Sequence, residues 1–157
     1  MCSTSELIGF DDLSDGDTVP AGYSGFNWAN LFVTSGSDYD ITPNAVAAGT
    51  VSPYNVASAI GGTMVTMTLA VQPQFDAISV YVAVTSNGSQ LTFTGTLLGV
   101  TLYTSVVTAS DSMATFVQLN FLNIDRLAVA ITNTGTPGPL RDAFIFDDFS
   151  VNLHGAS

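Results

Sequence analysis

The chain has 157 residues, which is enough for one domain to bury its own core without disulfides or metals. It is 46% apolar and only 10% charged, with a mean hydropathy of +0.40, which excludes a disordered chain, and no apolar run reaches the ~18 residues of a membrane-spanning helix. Thirteen acids against two Arg and no Lys give a net charge of −11, which argues against nucleic-acid partners and anionic membrane surfaces and leaves neutral ligands and cations.

The start, "MCSTSELIGF", has no basic n-region and no long apolar h-region, and its lone Cys2 offers neither a disulfide framework nor a thiolate metal site. Two readings fit: a chain that stays in the cytoplasm, or a secreted one whose leader has been removed. The sequon Asn87-Gly88-Ser89 leans towards a secreted or cell-surface protein. "DDLSDGD" then gathers Asp11, Asp12, Asp15 and Asp17. After it comes "AGYSGFNWAN", residues 21–30, with the only Trp of the chain. Phe26 and Trp28 share one face of a strand-like stretch, and Asn27 and Ala29 share the other. Residues 37–62 are Pro/Gly-rich and poorly periodic, and read as a long loop carrying Tyr39, Tyr54 and Asn55.

From residue 76 the strand signals run on to the end. "DAISVYVAVT" sets Ile78, Val80, Val82 and Val84 on one face. A Gly-containing turn at 87–88 follows, then "LTFTGTL", "GVTLYTSVVT", "ATFVQLNFL", "RLAVAIT" and "AFIFDDFSVNL". Strands at this spacing, with helix formers nearly absent, predict an all-β fold: a jelly-roll β-sandwich of two antiparallel sheets spanning 1–157 as a single domain.

"LIGFDDLS" near the start echoes "FIFDDFSV" near the finish. In a jelly roll the first and last strands are commonly neighbours, and their pairing would bring Asp11, Asp12, Asp147 and Asp148 together. Period two puts Asp147 on the face of Ile145, Phe149 and Val151. A buried carboxylate must be hydrogen-bonded, paired, protonated or bound to a cation. One reading makes it a structural calcium site, with Glu6, Asp11, Asp12, Asp147 and Asp148 as the carboxylate set and calcium as the cofactor. The other gives Asp147 backbone N–H partners at a strand end and no metal.

The aromatics invite a sugar reading. Sugar rings stack their C–H faces on aromatics, and their hydroxyls need Asn- or Asp-type partners. Tyr23, Trp28, Asn30, Tyr39, Tyr54 and Asn55 form the candidate ligand set. Trp28 is equally a core residue by this pattern, and Tyr23 and the loop tyrosines are the better ligand contacts.

Taken together, "IGFDDLSDGDTVPAGYSGFNWANLFV", "GTVSPYNVASAIGG", "ATFVQLNFLNIDRLAVAI" and "FIFDDFSV" resemble a broad group of secreted fungal and bacterial proteins. The group is similar to the calcium-containing jelly-roll carbohydrate-binding modules and galactose-binding-like domains. The resemblance implies a β-sandwich, a structural calcium beside the terminal strands, and glycan binding. The chain departs from the group's pattern at Gly9, where Asp is frequent, and at Ser58, where Asn is usual.

The leading expectation is therefore a non-catalytic, lectin-like protein for a neutral glycan or cell-wall polysaccharide. The alternative is a self-associating structural or coat protein, a homo-oligomer built through uncharged Thr-rich strands without edge lysines. An enzyme is not expected: Lys is absent, and Cys2 and His154 lie at the termini, so a nucleophile–His arrangement has little to build on, while nothing marks a carboxylate pair such as Asp38 and Asp40.

Overall fold

The computed structural model describes residues 3–36, 45–52, 54–60, 63–70, 73–134 and 143–155. Cys2, Asp38, Tyr39, Asp40 and Arg141 lie outside them. The elements in chain order are β1 (Ser3–Ile8), β2 (Phe26–Ala29), β3 (Phe32–Ser35), α1 (Ala45–Gly49), β4 (Asn55–Ile60), β5 (Val65–Leu69), β6 (Phe75–Val84), β7 (Gln90–Leu97), β8 (Val100–Thr108), β9 (Thr115–Ile124), β10 (Arg126–Asn133) and β11 (Ala143–His154).

They form an all-β sandwich of the jelly-roll type. One sheet runs β3-β4-β11-β6-β9 with β1 also on β11, and the other runs β2-β5-β10-β7-β8; all pairings are antiparallel. The terminal strands are neighbours, with Ser3 opposite His154 and Ile8 opposite Phe149. Inward side chains of both sheets fill one core, including Phe26, Phe75, Phe93, Phe144, Leu91 and Leu127. This is the outcome expected of two sheets that each have one apolar face. No helix among the described residues is long and apolar enough to cross a membrane.

Two details differ from the periodic reading. Part of the stretch read as a loop forms regular elements: Ala45–Gly49 is a short helix and Asn55–Ile60 is a strand. The helix packs on β6 and β11, where Val46, Val56, Ala83 and Ile145 make a second, smaller core on the outer side of that sheet. The alternation of β11 also breaks at Asp148, whose φ of +45° marks a bulge, with a register shift against β6 between Asp147 and Ser150. Before the bulge Phe144 and Phe146 face the main core, and after it Phe149 and Val151 do. Ile145 and Asp147 therefore do not share the inner face of Phe149 and Val151. β6 shifts in step: Phe75 and Ala77 face the main core first, then Val80, Val82 and Val84, and Ile78 falls between the two sets.

The bulge has a topological cause. Along one side of β11, residues 143–146 pair with β4 and residues 149–154 pair with β1. Asp147 and Asp148 sit in the gap between those two partners, where the chain leaves β1 and where the segment before β4 comes in.

Candidate functional site

The backbone of Val51 and Ser52 comes against β11 in the gap between β4 and β1. Asp147 is fully buried, and its carboxylate accepts four hydrogen bonds. Oδ2 takes the N–H groups of Val51 (2.6 Å) and Ser52 (2.7 Å). Oδ1 takes the Ser52 hydroxyl (2.8 Å) and the Asp148 N–H (2.8 Å). Burial pushes the Asp147 carboxyl above the usual aspartate range, and these donors pull it back down.

The other acids of the predicted set fall into two places. Asp11, Asp12 and Asp148 line an open cleft of about 420 Å³ together with Leu7, Gly9, Phe10, Tyr23, Ser24 and Ser52. Glu6, on β1 opposite Val151, does not line it. Gly9 marks the floor of the cleft. A Cβ there would meet Ser52 Oγ at 3.2 Å, Asp11 Oδ2 at 3.4 Å and Asp148 Oδ1 at 3.5 Å, so three oxygens converge on a space that any side chain would fill. Burial raises the Asp148 carboxyl, the Ser52 hydroxyl lowers it, and the charge of Asp11 raises it further. Among the described residues, no three Asp, Glu, His or Cys groups gather as a metal-holding set.

The Asp148 shift carries a pH prediction. A folded-state pKa above the ordinary aspartate value of about 3.9 means that the folded protein binds its proton more tightly than the unfolded chain does. Stability should therefore fall as pH rises from about 4 through the raised pKa of Asp148, because the fold disfavours its ionised form. Asp148→Asn should flatten that slope; thermal unfolding across this pH range checks it, and an equally steep slope in the variant would refute the assignment to Asp148.

The aromatic residues of 23–28 form a ladder from surface to core. Tyr23 stacks on Phe10 (centroids 5.8 Å, 29°), Phe10 meets Trp28 edge-on (5.8 Å), Trp28 meets Phe26 (5.7 Å), and Phe26 meets Phe75 (5.0 Å). Trp28 is half-buried, and its Nε1–H donates to the Tyr23 carbonyl (3.0 Å). The Tyr23 hydroxyl donates to Asp12 Oδ1 at 2.6 Å, and burial together with that bond raises its pKa beyond the usual tyrosine range. Two predicted asparagines tie distant segments together. Asn30, at φ +63°, donates from Nδ2 to the Met64 carbonyl (2.9 Å). Asn55 donates from Nδ2 to the Leu13 carbonyl (2.7 Å) and from its backbone N–H to Asp11 Oδ1 (2.9 Å).

Tyr54 is different. It is 76% exposed and sits at φ +97°, a conformation that costs a non-glycine residue energy and that the surrounding structure must impose. Its carbonyl accepts the Gly36 N–H at 2.7 Å, which ties it to the end of β3. It borders a second open cleft of about 350 Å³ with Ser35, Gly36, Ala47 and Thr50. Ser35 is held in turn by its N–H, which donates to Asp15 Oδ1 at 2.9 Å. Thr50 and Tyr54 line this cleft and Ser52 lines the other, so the bonds from Val51 and Ser52 to Asp147 lie between the two. Of the predicted ligand residues, Tyr23 and Trp28 belong to the ladder, with Tyr23 also lining the acidic cleft, Asn30 belongs to a turn, Asn55 starts β4, and Tyr54 borders the other cleft; Tyr39 is outside the described residues.

Ser52 and Gly9 were not among the predicted site residues. Nothing local marks Ser52, whereas the departure at Gly9 from the resembling group's Asp is a visible signal.

No protein-family model matches the chain, and no curated protein matches it in sequence. Solved structures share its fold. A cleaved adhesin domain of Lys-gingipain superposes with a TM-score of 0.62 at 10% identity, covering 96% of this chain and 98% of that one. A mutant of a family 29 carbohydrate-binding module, studied for ligand recognition, superposes with a TM-score of 0.53 at 12% identity, covering 96% and 92%. At these identities the likeness is one of fold: this chain is built like an adhesin domain and a carbohydrate-binding module over almost its whole length.

Proposed function

We propose that the protein is a non-catalytic glycan-binding module whose ligand stacks on Tyr54. The observation that carries this reading is the exposed Tyr54 ring, held at a positive φ beside an open cleft. Ser35 and Thr50 line the same cleft, and the Thr50 hydroxyl, which donates to the Val46 carbonyl, keeps lone pairs to accept from a sugar hydroxyl. The net charge of −11 favours a neutral glycan, such as a cell-wall polysaccharide, over an acidic one. The fold shared with a carbohydrate-binding module and an adhesin domain supports the same reading, and with it a secreted or cell-surface setting.

A structural calcium is the finer part of the proposal. The convergence of Asp11, Asp148 and Ser52 oxygens over Gly9 supplies hard oxygen donors, with backbone and water to complete the shell. Asp147, whose oxygens already have four protein donors, is assigned to the scaffold rather than to the ion.

The test is thermal unfolding with EDTA or calcium, repeated over a panel of neutral oligosaccharides with reducing-sugar release followed in parallel. One sugar class should raise Tm without turnover. Tyr54→Ala should lose that response by tenfold or more in affinity, about 1.4 kcal/mol or more, with an unchanged Tm in the absence of sugar. Turnover of the sugar, or full binding by Tyr54→Ala, would overturn the reading.

A further inference from the structure

Among the described residues, β8 and β9 end the two sheets on the same flank of the sandwich, and they are in contact through the stacked rings of Tyr103 and Phe121 (5.0 Å, 11°). This flank carries almost no charge. Residues 97–110 and 112–124 contain no Asp, Glu, Lys, Arg or His, and only Asp111 interrupts them. It is also apolar at its surface: Val100 is 61% exposed, Leu102 46% and Val106 57% on β8, and Phe116 52% and Leu122 45% on β9.

The two edges are not equally open. β9 is broken up by positive φ values at Asn120 (+53°) and Asn123 (+55°) and by register shifts against β6, devices that stop an edge from pairing further. β8 shows one irregularity, opposite Gly95–Thr96. From Tyr103 to Thr108 it pairs regularly with β7 and has no Lys, Pro or bulge to protect its other side. Its Val, Thr and Tyr content suits a strand paired on both sides.

We infer that β8 pairs antiparallel with β8 of a second copy, joining two five-stranded sheets into one continuous sheet across a two-fold axis. An antiparallel pair of identical strands is self-complementary, so one patch serves both partners and the assembly closes as a dimer. Self-complementarity of the regular β8 edge points to a second copy, and charge sets the orientation. Two copies at −11 repel each other, and the uncharged flank is the face on which they can meet while Asp11, Asp12, Asp15 and Asp17 stay apart. Val106 and Leu102 would pack beside their counterparts at the junction. The inference is independent of the glycan reading, because β8 lines neither cleft.

Sedimentation velocity on the full chain, from micromolar to millimolar concentration and at low and high NaCl, tests it. The expected result is a species of twice 16.3 kDa that grows with concentration and with salt, as screening weakens the repulsion. Val106→Lys and Leu102→Lys, made separately, should each weaken association by about tenfold or more with an unchanged far-UV circular dichroism spectrum, because each places a charge where two edges meet. Hydrogen exchange should show added protection of β8 amides in the dimer. A chain that stays monomeric throughout would overturn the inference, and so would a dimer untouched by either lysine.

Discussion

Asp147→Asn is expected to cost about 2–4 kcal/mol of folding free energy, a fall of roughly 5–15 °C in Tm, although it removes only a charge and changes almost no volume. The carboxylate accepts four donors, two on each oxygen. An amide offers one acceptor oxygen and one NH₂ group. Whichever way it turns, the NH₂ faces a backbone N–H: Val51 and Ser52 on one side, or Asp148 on the other. The Ser52 hydroxyl can rotate to accept, but the backbone donors cannot. Buried donors left facing a donor bear the full cost of desolvation. Urea unfolding of both proteins in EDTA and in calcium checks this. The loss should be equal in the two conditions, because Asp147 holds protein donors rather than an ion. A loss seen only in calcium would reassign Asp147 as a metal ligand, and no loss would contradict the hydrogen-bond geometry. Since these bonds hold residues 51–52 against β11, the variant should also loosen both clefts.

Trp28→Ala should cost about 3 kcal/mol, the low end for a large aromatic because the ring is half-exposed. Phe10 and Phe26 would each lose a ring partner at under 6 Å, and the Tyr23 carbonyl would lose its indole donor. Trp28→Phe should recover most of the packing and give up only the hydrogen bond. Glycan addition should leave the fluorescence of this single Trp unshifted while Tyr54 carries the binding. A Trp28→Ala protein of unchanged stability that no longer binds sugar would instead make Trp28 the stacking platform.

Much of this architecture is legible in the residues. Alternation over 76–85 and 91–132, and the near absence of helix formers, specify strands. The echo of "GFDD" and "IFDD" anticipates the pairing of β1 with β11, because a sandwich of this type brings its first and last strands together. The spacing of Phe26 and Trp28 anticipates their shared inward face, since period two is a property of any strand. The neutral stretch 97–110 can be read directly as well, because charge does not depend on conformation.

The fate of the acids and tyrosines is another matter. Period two carried Asp147 into line with Phe149 and Val151, and a single positive φ at Asp148 undid that alignment. Tyr23 and Tyr54 look alike as residues in Gly/Pro-rich stretches, yet one stacks on Phe10 with its hydroxyl tied to Asp12 and the other is exposed. Composition, charge and local periodicity determined the sheets, the pairing of the ends and the uncharged flank, because each is a property of neighbouring residues. Which carboxylate is satisfied, which tyrosine is exposed and which edge is left open were decided only by the tertiary structure. Those outcomes depend on partners far away in the chain, such as Ser52 lying 95 residues from the Asp147 it anchors.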